Sequence, residues 1–201
     1  RSGLKKNTTL RELTLDVLPG ATAVSPILTS LRDHPLLQRL YLRGFVGDLT
    51  GLEALLLSDA SKITELDIYR SYGGQPMIGL TPFLQALARH PALTKLGLRH
   101  CRLGRDEARL LRMALCNIPS LQSLVLEDNG LGSVGLAELA PALYHNASIK
   151  VLELSWNALN VNDMDSARCL RDILRNNKTI TALDLSCNRF GETTGAVDCI
   201  A

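Results

Sequence analysis

The sequence is poor in aromatic residues, in net charge and in long apolar runs, and each shortage argues against a class of function. Only 4% of the 201 residues are aromatic, with a single tryptophan, and the formal net charge is +2. A charge this close to neutral gives no case for a nucleic-acid partner. No apolar run approaches the ~20 residues that a bilayer-spanning helix needs. We therefore predict no nucleic-acid partner and no membrane partner.

Paired cysteines are also missing. The cysteines are five in number, and no two of them form a CxxC pair. The count is odd and the chain is too long for a disulfide scaffold, so free thiols in a reducing compartment are the better interpretation. The four histidines form no ligand cluster with them. We expect a cytoplasmic protein without a metal or other cofactor, with all five thiols reduced: Cys101, Cys116, Cys169, Cys187 and Cys199.

Catalytic patterns are absent too. No Ser-His-Asp order, phosphate-cradling glycine loop or close carboxylate pair stands out in the sequence. Cys187 is no better as a catalytic nucleophile, because no histidine stands at a matching strand position in the sequence repeat that contains it or in the repeat before; the repeats are described below. The segment NVNDMD at 160–165 lacks the glycine and the distal glutamate of a calcium loop, so an acidic first helical turn explains it better. We expect that the protein is not an enzyme.

What the sequence does contain is a repeat. The template L-x-x-L-x-L-x-x-N/C-x-L occurs seven times, at intervals of 26 to 31 residues. A fixed period of this length is the signature of a solenoid, in which each unit packs against its neighbours. The copies begin at Leu10, Leu37, Ile63, Leu93, Leu121, Ile149 and Ile180.

Each copy has a strand half and a helix half. The alternating x-L-x-L-x stretch predicts a short strand with leucines facing inward. The predicted strands are 12–16, 39–43, 65–69, 95–99, 123–127, 151–155 and 182–186. Apolar residues at helical spacing fill most intervals, so helix should exceed strand. The interval 47–62 leaves least room for a helix, and Pro141 predicts a kink or a late helix start.

Two further positions of the repeat carry a characteristic residue type in several of the copies. The ninth position is Asn or Cys in the last four copies, and we expect its side chain to point inward and bond neighbouring turns. The first three copies carry Leu18, Phe45 and Ser71 there instead. Three residues before each copy, Asn or His is common, which predicts left-handed helix caps. Three glycosylation sequons, at Asn7, Asn146 and Asn177, occupy this same position, so a cap explains them without sugar.

This repeat resembles the leucine-rich repeats of the ribonuclease-inhibitor-like subfamily. The stretch LGSVGLAELAPALYHN is especially similar to the LGxxGxxxLxxxL half-repeat of that subfamily. The resemblance implies an α/β right-handed solenoid of about seven repeats, with parallel strands on a concave face and helices on a convex face. We expect residues 1–201 to form one such domain. Both ends indicate truncation, because LKKNTTL at 4–10 matches the helix ends before later repeats and GETTGAVDCIA stops part-way through a helix.

The outward strand positions would line the concave face, which suits a macromolecular partner. Two zones of opposite charge emerge, and they suit a partner with a split charge pattern. Tyr, Arg and Trp residues often dominate binding energy. The candidate protein-binding residues are Tyr41, Arg43, Tyr69, Arg70, Arg99 and His100 in the first zone, and Glu127, Asp128, Glu153, Trp156 and Asp184 in the second.

Trp156 is the sharpest candidate among them. It follows a predicted strand at the eighth repeat position, where other copies carry Arg70, His100 and Asp128, which suits a position open to water. We therefore predict an aromatic anchor with an acidic rim, binding a basic or amphipathic partner. The alternative is that the ring packs over Leu159 and serves the fold alone.

Three functions follow from the resemblance. The first is a protein-interaction module that binds a partner protein on its concave face. The second is the ligand-sensing or autoinhibitory repeat region of a nucleotide-binding innate-immune receptor. The third is a Ran-type GTPase-activating protein, for which the spacing identifies no catalytic arginine. A purely structural scaffold is the remaining alternative.

Overall fold

The computed structural model describes residues 2–17, 24–45, 48–70, 78–90, 92–160 and 163–189. Within them, strands and helices alternate along the chain. The strands are β1 (Glu12–Asp16), β2 (Arg39–Phe45), β3 (Glu65–Arg70), β4 (Lys95–Arg99), β5 (Ser123–Val125), β6 (Val151–Glu153) and β7 (Ala182–Asp184). The helices are α1 (Ser2–Lys6), α2 (Val24–Ser30), α3 (Thr50–Leu56), α4 (Leu80–Leu87), α5 (Arg105–Leu115), α6 (Gly132–His145) and α7 (Met164–Asn176).

The seven strands form one parallel sheet in chain order, which confirms the predicted fold class. Equivalent repeat positions are paired across the sheet, as Glu12 with Arg39, Arg39 with Glu65 and Glu65 with Lys95. Strands β5–β7 have three residues each. Consecutive helices from α2 to α7 pack against one another on the other side. The architecture is an α/β leucine-rich-repeat solenoid, with the sheet on its concave face.

The core lies between the sheet and the helices. The inward leucines and isoleucines of the middle repeats are almost completely buried, as at Leu66, Leu96 and Leu124. At the two ends of the stack, Leu13 and Leu183 are only half-buried, because each has a described neighbouring turn on one side alone. A repeat therefore depends on its neighbours for most of its apolar burial, as a one-dimensional stack requires.

The described helices of the later repeats are longer than those of the earlier ones. The interval 47–62 holds the two-turn helix α3, whereas α6 and α7 have 14 and 13 residues. Helix α6 continues through Pro141, so the prediction of a late helix start is wrong. The ring removes one backbone donor, which leaves the carbonyl of Ala137 without its helical partner. Ala137 and Pro141 are both on the exposed side of the helix, where water can bond that carbonyl.

The Asn residues before the strands work differently from the prediction of left-handed caps. Asn146 and Asn177 have extended backbones, with φ of −66° and −73°. Their side chains instead accept bonds from the main chain that enters the next strand. The Asn146 Oδ1 accepts from Ile149 N at 2.6 Å, and the Asn177 Oδ1 accepts from Ile180 N at 2.9 Å. The left-handed expectation is therefore wrong for both residues, and a side-chain turn takes its place.

The side chain of the sequon residue Asn177 is engaged in hydrogen bonds within the fold. Its Nδ2, the atom that would carry a glycan, donates to Leu143 O at 2.7 Å and to Asn146 O at 3.0 Å. The residue is also buried. A sugar could attach only after these bonds were broken, which agrees with the interpretation of this position as a cap.

The ninth-position asparagines form the expected ladder. Asn157 Oδ1 accepts from Asn129 N at 3.2 Å, and Asn188 Oδ1 accepts from Asn157 N at 2.9 Å. The amide of Asn157 also donates to Leu126 O at 2.7 Å, so each side chain ties its turn to the one before. Cys101 begins the ladder, donating its backbone N–H to Asn129 at 2.9 Å. Leu18, Ser71 and the side chain of Phe45 lie outside the described residues.

The loop after each strand contains left-handed residues. The eighth repeat position has positive φ in the last four copies, at His100, Asp128, Trp156 and Cys187, with φ between 49° and 57°. Gly44 takes the same role in the second copy, with φ of 64°. A Cβ on Gly44 would lie 2.6 Å from Val17 O, so only glycine fits there. Five copies thus share a left-handed turn at this position, whereas Val17 and Arg70, at the same position in the other two, are not among the residues with positive φ.

Candidate protein-binding surface

The register of the sheet brings the candidate residues onto one face. The fifth repeat positions Tyr41, Asp67 and Gly97 are paired in sequence across β2–β4, and Glu153 is paired with Asp184 across β6–β7. The seventh positions Arg43, Tyr69 and Arg99 follow the same pattern. Five of them, Tyr41, Arg43, Asp67, Tyr69 and Arg99, line an open cavity of about 800 Å³ together with Glu12, Thr14, Gly44, Lys95 and Glu127.

Arg99 is the centre of the charged network on this face. Its guanidinium contacts carboxylates from three strands: Asp67 through Nη1, Glu127 Oε2 through Nε at 3.1 Å and Glu153 Oε2 through Nη2 at 3.6 Å. Burial alone would lower the pKa of Arg99, but the carboxylates outweigh it and the pKa is raised. The arginine is therefore permanently charged and held in place.

Gly97 makes this arrangement possible. It is the only outward position of β4 without a side chain, and a Cβ there would lie 2.6 Å from Cγ of Asp67. The Asp67 carboxylate occupies that space and reaches Arg99. Sequence reasoning did not select Gly97 or Asp67. The available signal was a glycine at the middle of a strand, which marks a close approach by another group.

Tyr41 stands at the other end of the cavity. Its hydroxyl donates to Glu65 Oε2 at 2.7 Å. Burial, followed by this bond to Glu65, raises the pKa of Tyr41 to about 12. Beside it, Arg39 Nε bonds Glu12 Oε2 at 2.7 Å, so the charged side chains at the third repeat position of β1 and β2 pair across the two strands. Arg43 is exposed at the end of the same strand.

Two candidates of the first zone are not exposed. Arg70 has only 2% of its surface accessible and His100 has 8%, so the expectation of an open eighth position is wrong for both. Burial, together with the nearby charge of Arg102, lowers the pKa of Arg70. His100 Nδ1 lies 2.7 Å from Asp128 Oδ2, and its ring meets Tyr69 edge-to-face at 4.8 Å between centroids. Residues of neighbouring repeats thus lie over the eighth-position side chains Arg70 and His100, which the repeat period alone predicts to be exposed.

The expectation of two opposed charge zones therefore needs correction. Of the predicted basic residues, Arg70 is buried and Arg99 is bound to Asp67, Glu127 and Glu153. Arg43 is the exposed cation of that zone. The acidic zone keeps an exposed carboxylate at Asp184, whose pKa is lowered by a hydrogen bond from the backbone N–H of Ser186. Among the charged candidates, the exposed ones are thus Arg43 in the first zone and Asp184 in the second.

Trp156 is open to solvent. Its exposed fraction is 56%, and its φ is 56°. A left-handed backbone is strained by about 1–2 kcal/mol for a residue with a Cβ. Asp128 precedes it and Cys187 follows it at the same repeat position. Leu159, the residue on which the alternative interpretation packs the ring, is completely buried.

The described part of the chain offers no metal site. The described residues contain no set of three or more His, Cys, Asp or Glu side chains arranged to hold a metal ion. Their four cysteines, Cys101, Cys116, Cys169 and Cys187, are free thiols, and Cys199 lies outside the described residues. Burial raises the pKa of the Cys101 thiol to about 12, which makes it unreactive. None of the described helices is long and apolar enough to cross a membrane.

Comparison with known proteins supports the repeat assignment. The family described as Leucine Rich repeat matches residues 111–140 and 176–193. Tonsoku-like protein of Bos taurus is 35% identical over 112 residues, which are 56% of this chain and 8% of that protein. Protein NLRC5 of Mus musculus is 35% identical over 71 residues, 35% of this chain and 4% of that protein. The chain thus spans less than a tenth of the length of either relative.

A solved structure shares the fold. Leiomodin-1 Actin-Binding Site 2 (ABS2) superposes with a TM-score of 0.51 and 20% sequence identity, covering 69% of this chain and 77% of that one. At this level of identity the likeness concerns the fold alone.

Proposed function

We propose that this chain is a protein-interaction module that binds a partner protein on its concave face. The observation that carries the proposal is the cavity of about 800 Å³ lined by residues of β1–β4 and by Glu127, which follows β5. It is open to solvent and contains Tyr41, Tyr69 and Arg43. Tyr and Arg are prominent among residues that dominate protein–protein binding energy.

The proposal extends to the domain and its subfamily. Residues 1–201 form one leucine-rich-repeat domain, of the ribonuclease-inhibitor-like type. The support is the 28-residue spacing of the copies at Leu93, Leu121 and Ile149, each followed by a helix of 11 residues or more. The match to the Leucine Rich repeat family falls in this same part of the chain.

The module binds rather than catalyses. Several charged side chains of the concave face are engaged in ion pairs, as at Arg99 with Asp67 and Arg39 with Glu12. Such pairs fix side chains in position and do not supply an acid and a base with separated pKa values. Free thiols in the described part of the chain favour a reducing, cytoplasmic location.

A second candidate function is the ligand-sensing or autoinhibitory repeat region of a nucleotide-binding innate-immune receptor. The similarity to Protein NLRC5 of Mus musculus, an NLR homologue, favours it. It too uses the repeats to bind, and differs in what the binding controls. A nucleotide-binding domain in the full-length protein, with repeat deletion raising its activity, would support this candidate. A full-length sequence without such a domain would exclude it.

Site-specific crosslinking tests the first proposal. A photo-crosslinking amino acid is placed at Arg43 on the concave face or at Met113 on helix α5, both of which are exposed. We expect a partner protein to crosslink from position 43 and not from position 113. The same partner crosslinking only from position 113 would refute the concave surface.

Charge reversal at Arg43 then measures how much this residue contributes to the affinity for the partner. Arg43→Glu should weaken the affinity of the crosslinked partner by about tenfold, or 1.4 kcal/mol, in isothermal titration calorimetry. Arg109→Glu is the matched control, because Arg109 is equally exposed but lies on helix α5. Equal losses in the two variants would indicate a general charge effect and contradict a defined concave site.

A further inference from the structure

The sheet face formed by β5–β7 differs from the rest of the concave surface. Its outward third positions carry small side chains, Ser123, Val151 and Ala182, so the floor is shallow and largely apolar. At the end of this floor stands Trp156, with more than half of its surface exposed. The backbone N–H of Trp156 bonds Ser186 O at 3.1 Å, which fixes the tryptophan beside the last turn.

The charges on this face are unbalanced. Its outward acids are Glu127, Glu153 and Asp184, and the outward positions of β5–β7 contain no Lys or Arg. The cation that pairs with two of these acids is Arg99 on β4, which reaches Glu127 at 3.1 Å and Glu153 at 3.6 Å. That same guanidinium also binds Asp67. One positive charge is therefore shared by three carboxylates, before Asp184 is counted.

Glu153 and Asp184 are direct neighbours. They are paired in the register of β6 and β7, so their Cα atoms are about 5 Å apart across the two strands. Like charges placed directly opposite in a sheet are destabilising. Each carboxylate has a stabilising contact elsewhere, Glu153 with Arg99 and Asp184 with the backbone N–H of Ser186. A cation arriving between the two carboxylates would reduce their mutual repulsion.

The tryptophan is likewise unfavourable for the fold alone. An exposed ring contributes little burial, and the left-handed turn at this position is better suited to the Gly44 or Asp128 of other copies. The face of an indole ring, however, attracts a cation within about 6 Å, and an acidic surrounding strengthens that attraction. Trp156 and the Glu153–Asp184 pair therefore favour the same ligand chemistry.

We propose that the β5–β7 face is the docking surface for a cationic segment of the partner protein. One Arg or Lys of that segment lies over the Trp156 ring, and another binds between Glu153 and Asp184. This inference rests on the proposed function and narrows it. A cationic segment takes the place of the partner with a split charge pattern that the sequence predicted, because Arg99 is already paired with acids of this chain. An acidic protein or a nucleic acid would be repelled by the same face.

Labelled peptides test the charge preference. Three ten-residue Gly/Ser peptides are compared by fluorescence anisotropy, containing four Arg, four Gln or four Glu. The Arg peptide should bind at least about tenfold more tightly than the Gln peptide, and the Glu peptide should not bind. Trp156 is the only tryptophan, so its intrinsic emission should also shift with saturation by the Arg peptide. Equal binding of the Arg and Gln peptides would overturn the proposal.

Matched variants then locate the peptide. Glu153→Gln with Asp184→Asn keeps shape and removes charge, and should weaken the Arg peptide about tenfold. The control Asp172→Asn neutralises a carboxylate on helix α7 and should have little effect. Trp156→Ala should weaken binding similarly, whereas Met113→Ala, at the same exposed fraction of 56%, should not. Equal losses in the paired variants and their controls would mean nonspecific attraction and refute the site.

The natural partner separates this inference from the proposed function. A partner that crosslinks from Arg43 but keeps its affinity in the Glu153→Gln/Asp184→Asn variant binds the concave face by another part of it. That result leaves the proposed function standing and overturns the cationic docking surface. A partner that loses about tenfold in affinity in this variant, and nothing in Asp172→Asn, supports both.

Discussion

Replacing Gly97 with alanine should destabilise the protein by breaking the ion pair between Asp67 on β3 and Arg99 on β4. The new Cβ would lie 2.6 Å from Cγ of Asp67 and 2.7 Å from its Oδ1, closer than any real contact. The Asp67 carboxylate must therefore move, and its bond to Arg99 is lost. Both side chains are shielded, with 12% and 20% exposed, so the loss is larger than for a surface pair.

The size of the effect can be worked from two opposing terms. A hydrogen bond between charged groups contributes about 1.5–3 kcal/mol. Gly→Ala at a compatible backbone position stabilises by about 0.4–1 kcal/mol, through the unfolded state. The difference predicts a loss of about 1–2 kcal/mol in the free energy of unfolding. For a chain of this length each kcal/mol corresponds to roughly 2–4 °C, which gives a fall of roughly 2–8 °C in melting temperature.

A double-mutant cycle measured by urea denaturation distinguishes this cause from others. In an Asp67→Ala background the space beside residue 97 is empty, so Gly97→Ala should be neutral or stabilising by about 0.4–1 kcal/mol. Gly130→Ala is the control. Nothing lies within 4 Å of its Cβ, but its φ is +65°, so its destabilisation should not depend on Asp67. Equal losses for Gly97→Ala in both backgrounds would refute the clash with Asp67.

Four further predictions concern other parts of the molecule. Asn157→Ala should lower the free energy of unfolding by about 3–5 kcal/mol in urea denaturation, since it leaves several buried backbone groups unbonded. The half-buried Asn188→Ala should lose less, and equal losses would contradict the ladder. Trp156→Gly should change the free energy of unfolding by less than about 1 kcal/mol, because relief of backbone strain offsets the added chain entropy; a larger loss in a melting experiment would show that the ring serves packing. The pKa of Tyr41, raised to about 12, means that its contribution to stability is complete below pH 10 and is lost as the pH rises toward 12. A difference titration at 295 nm between the wild type and Tyr41→Phe should show this midpoint, and a value near 10 would contradict it. Cys101 should resist a thiol reagent until the protein unfolds, whereas the exposed Cys187 should react at once; rapid reaction of Cys101 in a Cys187→Ser variant would refute its burial.

Much of the fold could be read from periodicity. The leucine pattern placed the starts of all seven strands at the observed residues, because inward-facing apolar residues at a period of two leave a strand little freedom of register. The ladder at Asn129, Asn157 and Asn188 was also foreseeable, since a buried amide must bond the backbone around it. Both features depend on contacts that repeat identically from turn to turn.

The candidate surface was less predictable because its side chains interact between repeats. Periodicity correctly placed Arg99 on the concave face, but not its bonds to carboxylates from three other strands. It placed Arg70 and His100 outside, although neighbouring loops bury them. The left-handed caps predicted for Asn146 and Asn177 were wrong, since the side-chain bond to the next strand satisfies the same backbone need.

The sequence by itself determined the number of repeats, the direction of each leucine and the order of the strands, because these follow from spacing along one chain. Only the tertiary structure decided which charges are available to a partner. Asp67 reaches Arg99 because Gly97, on the intervening surface, has no side chain, and this depends on three residues from two repeats meeting in space. The charge on a surface is a property of neighbouring strands together, and no single repeat specifies it.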